Sequence, residues 1–561
     1  MADIIRDTGL GHFIGLVSTT MKRTTTKRKL DLEQGSIQEI KSQNYDLSLK
    51  LESQRIVADF LGALDDLRLS SDSMSVKSND SLAELKGRPS DEDLGWDGPD
   101  DPENPLNFSS LKKLTITILI CLLTMSVYLG SSIFSPGITS LTHDLHISPF
   151  AATLGTAISI LGYATGPMFW SPLSETPSIG RNPIYLITLV LFILVQVPIP
   201  CAKNLETILI FRFLSGFIGS PAQATGGATI SDMYLPQRRS YAIGLWELST
   251  WIAPTLGPLI GGLAAMSKGW RWTIWELMWI NCVMLLIIFC FLPETSPSNI
   301  LYRRAKRRYQ SCPPPSEKLH ANPELDPLRQ SKKAIVYHTL VRPFTLCFRE
   351  PICLLLNAYT ALITGLFFAW LEIFPIVFDE VYGFDLYQLG LAFMGLLVGA
   401  VVAYAIFLVW FRFVEGKKFG DDGRRRPEER FVPLMAGCMF IPLSLFIFGW
   451  SARRDVHWMV PIVGSGVFSL GSFSLFISIL NYLPDAYPDY AASVLAGNNF
   501  VRCTFGAGCV IFAGPAYQNL GPGWASTLLG LIGVAFVPVP FLFYFYGNRI
   551  RMGSRYARKD F

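Results

Sequence analysis

Twelve apolar runs follow Lys113, each close to the roughly 20 residues that a helix needs to cross a hydrocarbon core of about 30 Å. They fall at about 114–136, 150–171, 184–201, 207–231, 240–265, 273–292, 352–377, 386–410, 432–450, 459–482, 490–513 and 523–546. Half of the 561 residues are hydrophobic and 16% are charged, too apolar a balance for an ordinary soluble protein of this length. The expected fold is an all-α membrane protein of twelve transmembrane helices.

The longest interruption, the polar segment Glu294 to Glu350, divides the runs into six and six, the mark of two parallel halves. This predicts an N-terminal six-helix half at 111–293, a cytosolic central loop at 294–350, a second six-helix half at 351–547 and a short tail at 548–561. Residues 1–110, rich in Ser, Asp, Glu and Lys, are expected to be cytosolic and largely disordered. Within them Ile4, Ile5, Leu10, Phe13, Ile14 and Val17 fall roughly on one face before Lys22, Arg23, Lys27 and Arg28. That pattern suits an amphipathic helix on an anionic membrane surface and a fluctuating tail equally well.

Lysine and arginine give the direction of the helices. With the N-terminus inside, the inner loops hold Arg181, Arg238, Arg239, the Arg303 to Arg308 cluster, Arg412, Lys417, Lys418, Arg424 to Arg426 and Arg430, and the tail adds Arg549 to Lys559. The outer loops hold only Lys203, Lys268, Arg271, Arg453 and Arg454, so both termini are expected in the cytosol. The net charge of +4 is spread over short clusters, which gives nucleic-acid binding little support. Ten cysteines show neither a C-x-x-C pair nor zinc-type spacing, so no metal site is expected.

Charges within the spans are informative because each costs about 2.5–3.5 kcal/mol at the bilayer centre on insertion scales. Arg212 lies in span 4, Glu247 in span 5, Glu276 near the outer end of span 6, Glu372 in the outer half of span 7 and Arg502 near the middle of span 11. Arg212 and Arg502 read equally as structural partners of carbonyls or carboxylates and as parts of a coupling device. Glu247 and Glu372 are the candidates for a proton-titrating carboxylate, since a low-dielectric cavity disfavours the ionised form. Permanent pairing is the competing reading for both.

Two segments join the spans closely. Between spans 2 and 3, Gly166, Pro167, Glu175, Gly180 and Arg181 form a tight link whose charged members can contact helix ends. In span 5, Pro254, Gly257, Pro258, Gly261 and Gly262 combine bending with close helix approach, as a hinge or seal requires.

These segments resemble the major facilitator superfamily, and within it the fungal twelve-span drug:proton antiporters, over nearly the whole chain from Trp96 to Arg551. The Gly166 to Pro183 block is similar to the family's loop 2–3 motif, and Arg212-Phe213-Leu214-Ser215-Gly216 to its span 4 motif, whose arginine is implicated in proton coupling. The span 5 run resembles the antiporter signature G-x-x-x-G-P-x-x-G-G, with Ala253 in place of the first glycine. Trp96 to Pro105, Pro293-Glu294-Thr295, Phe374 to Phe378, Tyr482 to Pro488 and Ala491 to Arg502 add further similarities.

The resemblance implies a proton-coupled exporter of small amphipathic compounds, multi-pass in the plasma membrane and driven by the proton gradient without a cofactor. Its partners would be a small-molecule substrate, protons and membrane lipid, with no nucleic acid, and the chain would act as a monomer. A polyamine or nutrient transporter of the same fold is the nearest alternative. An enzyme is not expected: no catalytic constellation stands out, and no G-x-x-x-x-G-K-[ST] sequence is present for an ATP-driven pump.

Overall fold

The computed structural model describes residues 95–311, 342–415, 426–554 and 556–559. The expectations for residues 1–94, including the amphipathic N-terminal stretch, and for 312–341 in the central loop lie outside the described residues.

The described residues form an all-helical bundle. Its main helices are α1 (Ser110–Tyr128), α2 (Pro149–Glu175), α3 (Asn182–Gln196), α4 (Leu205–Ala224), α5 (Pro236–Lys268) and α6 (Trp270–Phe291) in the first half of the chain. The second half holds α7 (Pro351–Phe374), α8 (Met394–Trp410), α9 (Phe440–Ser451), α10 (Met459–Ala486), α11 (Ala491–Phe536) and α12 (Pro538–Gly553). Helix starts follow local chemistry. The Ser109 hydroxyl accepts from the Lys112 N–H, Ser148 from Ala151 ahead of Pro149, and Asn204 from Thr207, each satisfying a donor that the first turn leaves free.

Ten stretches among the described residues are long and apolar enough to cross a membrane. The last, Ser493–Gly553, is 61 residues long and breaks at Gly521, whose φ of 72° and ψ of 158° turn the chain inside α11. Helix α2 has 27 residues but is not among the ten. Its Gly, Ser, Thr and Pro residues lower its hydropathy because it is packed between neighbours. Gly162 and Gly166 let α4 approach closely: a Cβ on Gly162 would stand 2.7 Å from the Phe217 nitrogen, and one on Gly166 2.7 Å from Ser220 Cβ. Along another face α2 packs on α11, which also carries α7.

One end of the bundle is strongly basic and is tied by ion pairs. Before α1, the buried Asp101 accepts from the Asp97 and Glu103 N–H groups and binds Arg304 at 2.7 Å. Arg304 belongs to the helix Pro297–Ser311 that follows α6, and it also meets Asp97 at 3.0 Å and Glu103 at 3.2 Å. The second half has a parallel arrangement. Glu428, ahead of α9, holds the fully buried Arg551 of α12 at 2.7 Å, and Glu350, ahead of α7, accepts from the Tyr487 and Ser554 hydroxyls. Segments separated by an even number of helices therefore meet at the same end.

Candidate functional site

The two halves of the chain meet along α2–α11 and along α5 with α8 and its preceding helix Leu386–Ala392. At the basic end this seam is closed by charge. Asp485, at the foot of α10, binds Arg239 of α5 at 2.8 Å and Arg430 at 3.1 Å, and Arg430 also donates to the Ser240 hydroxyl at 2.9 Å. At the opposite end it is closed by shape. Gly262 faces the Leu386 carbonyl, where an added Cβ would stand 3.0 Å away, and a Cβ on Gly390 would lie 2.6 Å from Leu259 Cα.

The span 5 motif thus divides its labour. Gly257 and Gly261 press against Ser132 and Ile133 of their own half, whereas Gly262 presses against the other half. Pro254 and Pro258 lie inside α5, where each removes a backbone donor between these contacts.

Between the two closures lies an aromatic interior. The Trp251 ring of α5 meets Phe367 at 4.6 Å, Phe476 at 5.7 Å and Phe468 at 6.5 Å, all from the second half. Trp370 packs edge-on against Phe448 at 4.3 Å, and Tyr128 of α1 meets Phe368 at 6.4 Å. Buried polar atoms without a hydrogen-bond partner lie on the same helices, among them Thr364, Trp370, Ser469 and Ser472. Rings with spare donors and acceptors suit a ligand that is apolar over most of its surface and polar at a few points.

One turn from Trp251, the carboxyl of Glu247 is 2% exposed and lies within electrostatic reach of Arg502 on α11. Arg502 lies over the Phe476 ring at 5.3 Å and donates to Asn499. The structure therefore brings two of the four predicted coupling residues together. Arg212 is elsewhere, about two turns into α4, and is 1% exposed. Its guanidinium donates to the Gly155 carbonyl at 3.1 Å, the Gly130 carbonyl at 2.9 Å and the Ser159 hydroxyl at 3.1 Å, and lies over the Phe134 ring at 4.7 Å. It ties α4 to α2 and to the end of α1 by carbonyls. Glu372 lies in the last turn of α7 beside Thr153 of α2, with Oε1 buried and unpartnered. Glu276 is half-buried.

The link between α2 and α3 is built around a residue to which the sequence assigns no role. Buried Glu294 accepts from the Arg181 and Asn182 N–H groups at 3.1 and 3.2 Å, at the start of α3, and from the Thr295 and Ser296 N–H groups at 3.0 Å. Gly180, at φ 83°, passes so close that a Cβ would lie 2.6 Å from Glu294 Oε2. Arg181 turns instead to Asp232, at 2.6 Å. Burial opposes its charge, but that carboxylate holds the guanidinium above its ordinary range. Glu175 ends α2 in an exposed position, so Glu294 supplies the helix-end contact foreseen for it.

The family model of the Major Facilitator Superfamily matches residues 120–510. The chain belongs to the major facilitator superfamily. Transporter mfs1 of Schizosaccharomyces pombe is 42% identical over 82% of this chain and 88% of its own length. Fluconazole resistance protein 1 of Saccharomyces cerevisiae is 36% identical over 83% of this chain and 85% of its own, and the cycloheximide resistance protein of Candida maltosa 32% over 85% and 88%. Among solved structures, the proton:xylose symporter XylE shares the fold with a TM-score of 0.55 at 14% identity, covering 78% of this chain and 97% of that one.

Within this superfamily fold, sequence reasoning missed Trp251, Asp485, Arg430 and Asn499. Asp485 and Asn499 both stand inside motifs that the resemblance picked out, but the motif marks the segment and not which atoms cross the seam. Trp251 carries no such signal, since aromatic residues serve lipid, core and ligand alike.

Proposed function

We propose that this major facilitator is a proton-coupled secondary transporter that exports small amphipathic compounds such as drugs, toxins or secondary metabolites. The observation that carries the reading is a buried carboxyl, Glu247, one turn from Trp251 of the aromatic interior and within electrostatic reach of Arg502 across the seam between halves. A carboxyl that gains and loses a proton there changes the charge of the interior by one, and this biases which closure of the seam is stable. The names of the relatives, which speak of fluconazole and cycloheximide resistance, support export of such compounds.

In this reading the protein has twelve spans: α2 is one, and Ser493–Gly553 divides into two at Gly521. The basic end faces the cytosol, which puts both termini there, and the protein works as a monomer in the plasma membrane without a cofactor. Arg212 holds α1, α2 and α4 as one body that rocks as a unit.

Expression in yeast stripped of its own exporters tests the function. Accumulation of labelled azole, cycloheximide and other toxic compounds is expected to fall on expression and to recover with a protonophore. Unchanged accumulation across the panel would refute broad export, and raised uptake of a polyamine or nutrient would replace it with an uptake carrier.

A further inference from the structure

A proline inside a helix removes the N–H that would bond the carbonyl four residues before it. Among the described residues, three such carbonyls receive a donor from another part of the molecule. Pro221 leaves the Phe217 carbonyl to the Trp170 indole at 3.1 Å and the Ser220 hydroxyl at 2.9 Å, both within the first half. Pro375 leaves the Leu371 carbonyl to the Ser135 hydroxyl at 3.4 Å, across the seam. Pro167 leaves the Tyr163 carbonyl, in the middle of α2, to the Asn499 carboxamide of α11 at 3.0 Å, again across the seam.

The third contact differs because it is wired to charge. Asn499 is 5% exposed, and its Oδ1 accepts from Arg502 Nε at 3.2 Å and Nη2 at 3.0 Å, with the Cys503 thiol at 3.6 Å. A guanidinium only donates and a carbonyl only accepts, so the carboxamide has one permitted orientation: oxygen to Arg502, nitrogen to Tyr163. Arg502 in turn lies within electrostatic reach of Glu247 from α5. The Tyr128 phenol and the Cys503 thiol are the other titratable groups in electrostatic reach of the guanidinium, and Tyr128 in turn meets Gln223. Arg502 is thus hydrogen-bonded to Asn499 and attracted by the charge of Glu247.

We propose that Asn499 is the positioning residue that transmits the charge state of Glu247 to α2, through the backbone carbonyl that Pro167 leaves free. This rests on the reading of Glu247 as the titrating carboxylate. An ionised Glu247 draws Arg502 away from Asn499, and the carboxamide then loses the partner that fixes its orientation toward Tyr163. When a proton from solvent binds the Glu247 carboxylate, that attraction ends, Arg502 settles on Asn499 Oδ1, and the α2–α11 contact tightens. The Trp170–Phe217 bond, lying within one half and away from this pair, is an internal contrast that stays formed throughout.

Amide hydrogen exchange of the full chain in lipid nanodiscs, at acidic and alkaline pH with labelling times corrected for intrinsic rates, tests this without any substrate. Peptides from the middle of α2 and the first part of α11 are expected to exchange about fivefold more slowly at acidic pH, the effect of one net hydrogen bond. Glu247→Gln is expected to hold the slow state at both pH values. Asn499→Ala and Pro167→Ala are both expected to erase the pH difference. The first removes the donor, and the second restores an N–H that satisfies the Tyr163 carbonyl within α2 itself. If both variants keep a pH difference that Glu247→Gln abolishes, Asn499 is not the transmitter although Glu247 still titrates. A wild-type protein with no pH difference overturns both the inference and the reading of Glu247 beneath it.

Discussion

Arg212 and Asp101 show what a buried charge does when its partners are fixed. Hydrogen bonds to charged groups contribute about 1.5–3 kcal/mol each, and Arg212 makes three inside the bundle. Arg212→Ala is therefore expected to destabilise the first half by several kcal/mol, of order 3–5, and to abolish energised efflux. Arg212→Lys, a point donor without the planar fork, should recover part of the stability. Thermal unfolding of the purified protein and efflux from cells measure the two effects. Asp101 is an opposite case. Burial disfavours its ionised form, yet the Asp97 N–H, Arg304 and the Glu103 N–H together hold its pKa below the ordinary value of 3.8. A lowered folded pKa means that the clamp's contribution is complete above 3.8 and fades only as pH falls through the lower folded value. Exchange protection of residues 97–107 is thus expected to stay constant from neutral pH down to about 4, and to drop throughout in Asp101→Asn. The sequence exposed Arg212, Glu247 and Arg502 because a charge within an apolar run stands out. It did not expose Glu294 or Asn499, whose importance lies in which backbone groups point at them.

At the level of single elements, glycine marks the places where two helices or a loop and a carboxylate share one space. Gly180→Ala meets both a left-handed backbone and the Glu294 carboxylate, and is expected to destabilise by about 1–2 kcal/mol or more. Its effect should fall on the α2–α3 link, so that the thermal midpoint drops and Glu294→Gln adds less than its separate effect. Gly262→Val, in contrast, pushes on Leu386 across the seam and leaves each half intact. It is expected to lower transport severalfold while unfolding at nearly the wild-type temperature. Most predicted runs lie within the ten apolar stretches of the described residues, but the last two fall in one of them, Ser493–Gly553, and the run at 150–171 lies in α2, which is not among the ten. α2 extends to Glu175 and α10 to Ala486, because polar contacts beyond the lipid carry the helices past their apolar stretch. The break between the last two runs is legible as Gly521-Pro522, while helix Pro297–Ser311 was hidden in what reads as a basic loop, since its order comes from Arg304 meeting three carboxylates.

Across the whole molecule, the seam is held by charge at the basic end and by glycine and backbone at the other, with aromatic rings, the buried Glu247 and Arg502 between. Hydrophobic length and the spacing of the runs were enough to foresee an all-helical membrane protein with the motifs of a major facilitator. The interior could not be foreseen, because contacts such as Trp251 to Phe367 or Arg239 to Asp485 join residues more than a hundred positions apart. Such a layout is expected to make the two ends respond differently to salt. Neutralising Asp485 as Asn should weaken the basic closure, as increased labelling of Ser240→Cys would report. The central claim is that a proton on Glu247 drives export. It is measured with the full chain reconstituted in vesicles with an imposed pH gradient, following a labelled compound whose accumulation in cells the expressed chain lowers, in wild type and in Glu247→Gln. Uphill accumulation that collapses with the gradient is expected in the wild type, and no uphill accumulation at all in Glu247→Gln. Undiminished gradient-driven accumulation in Glu247→Gln would contradict it.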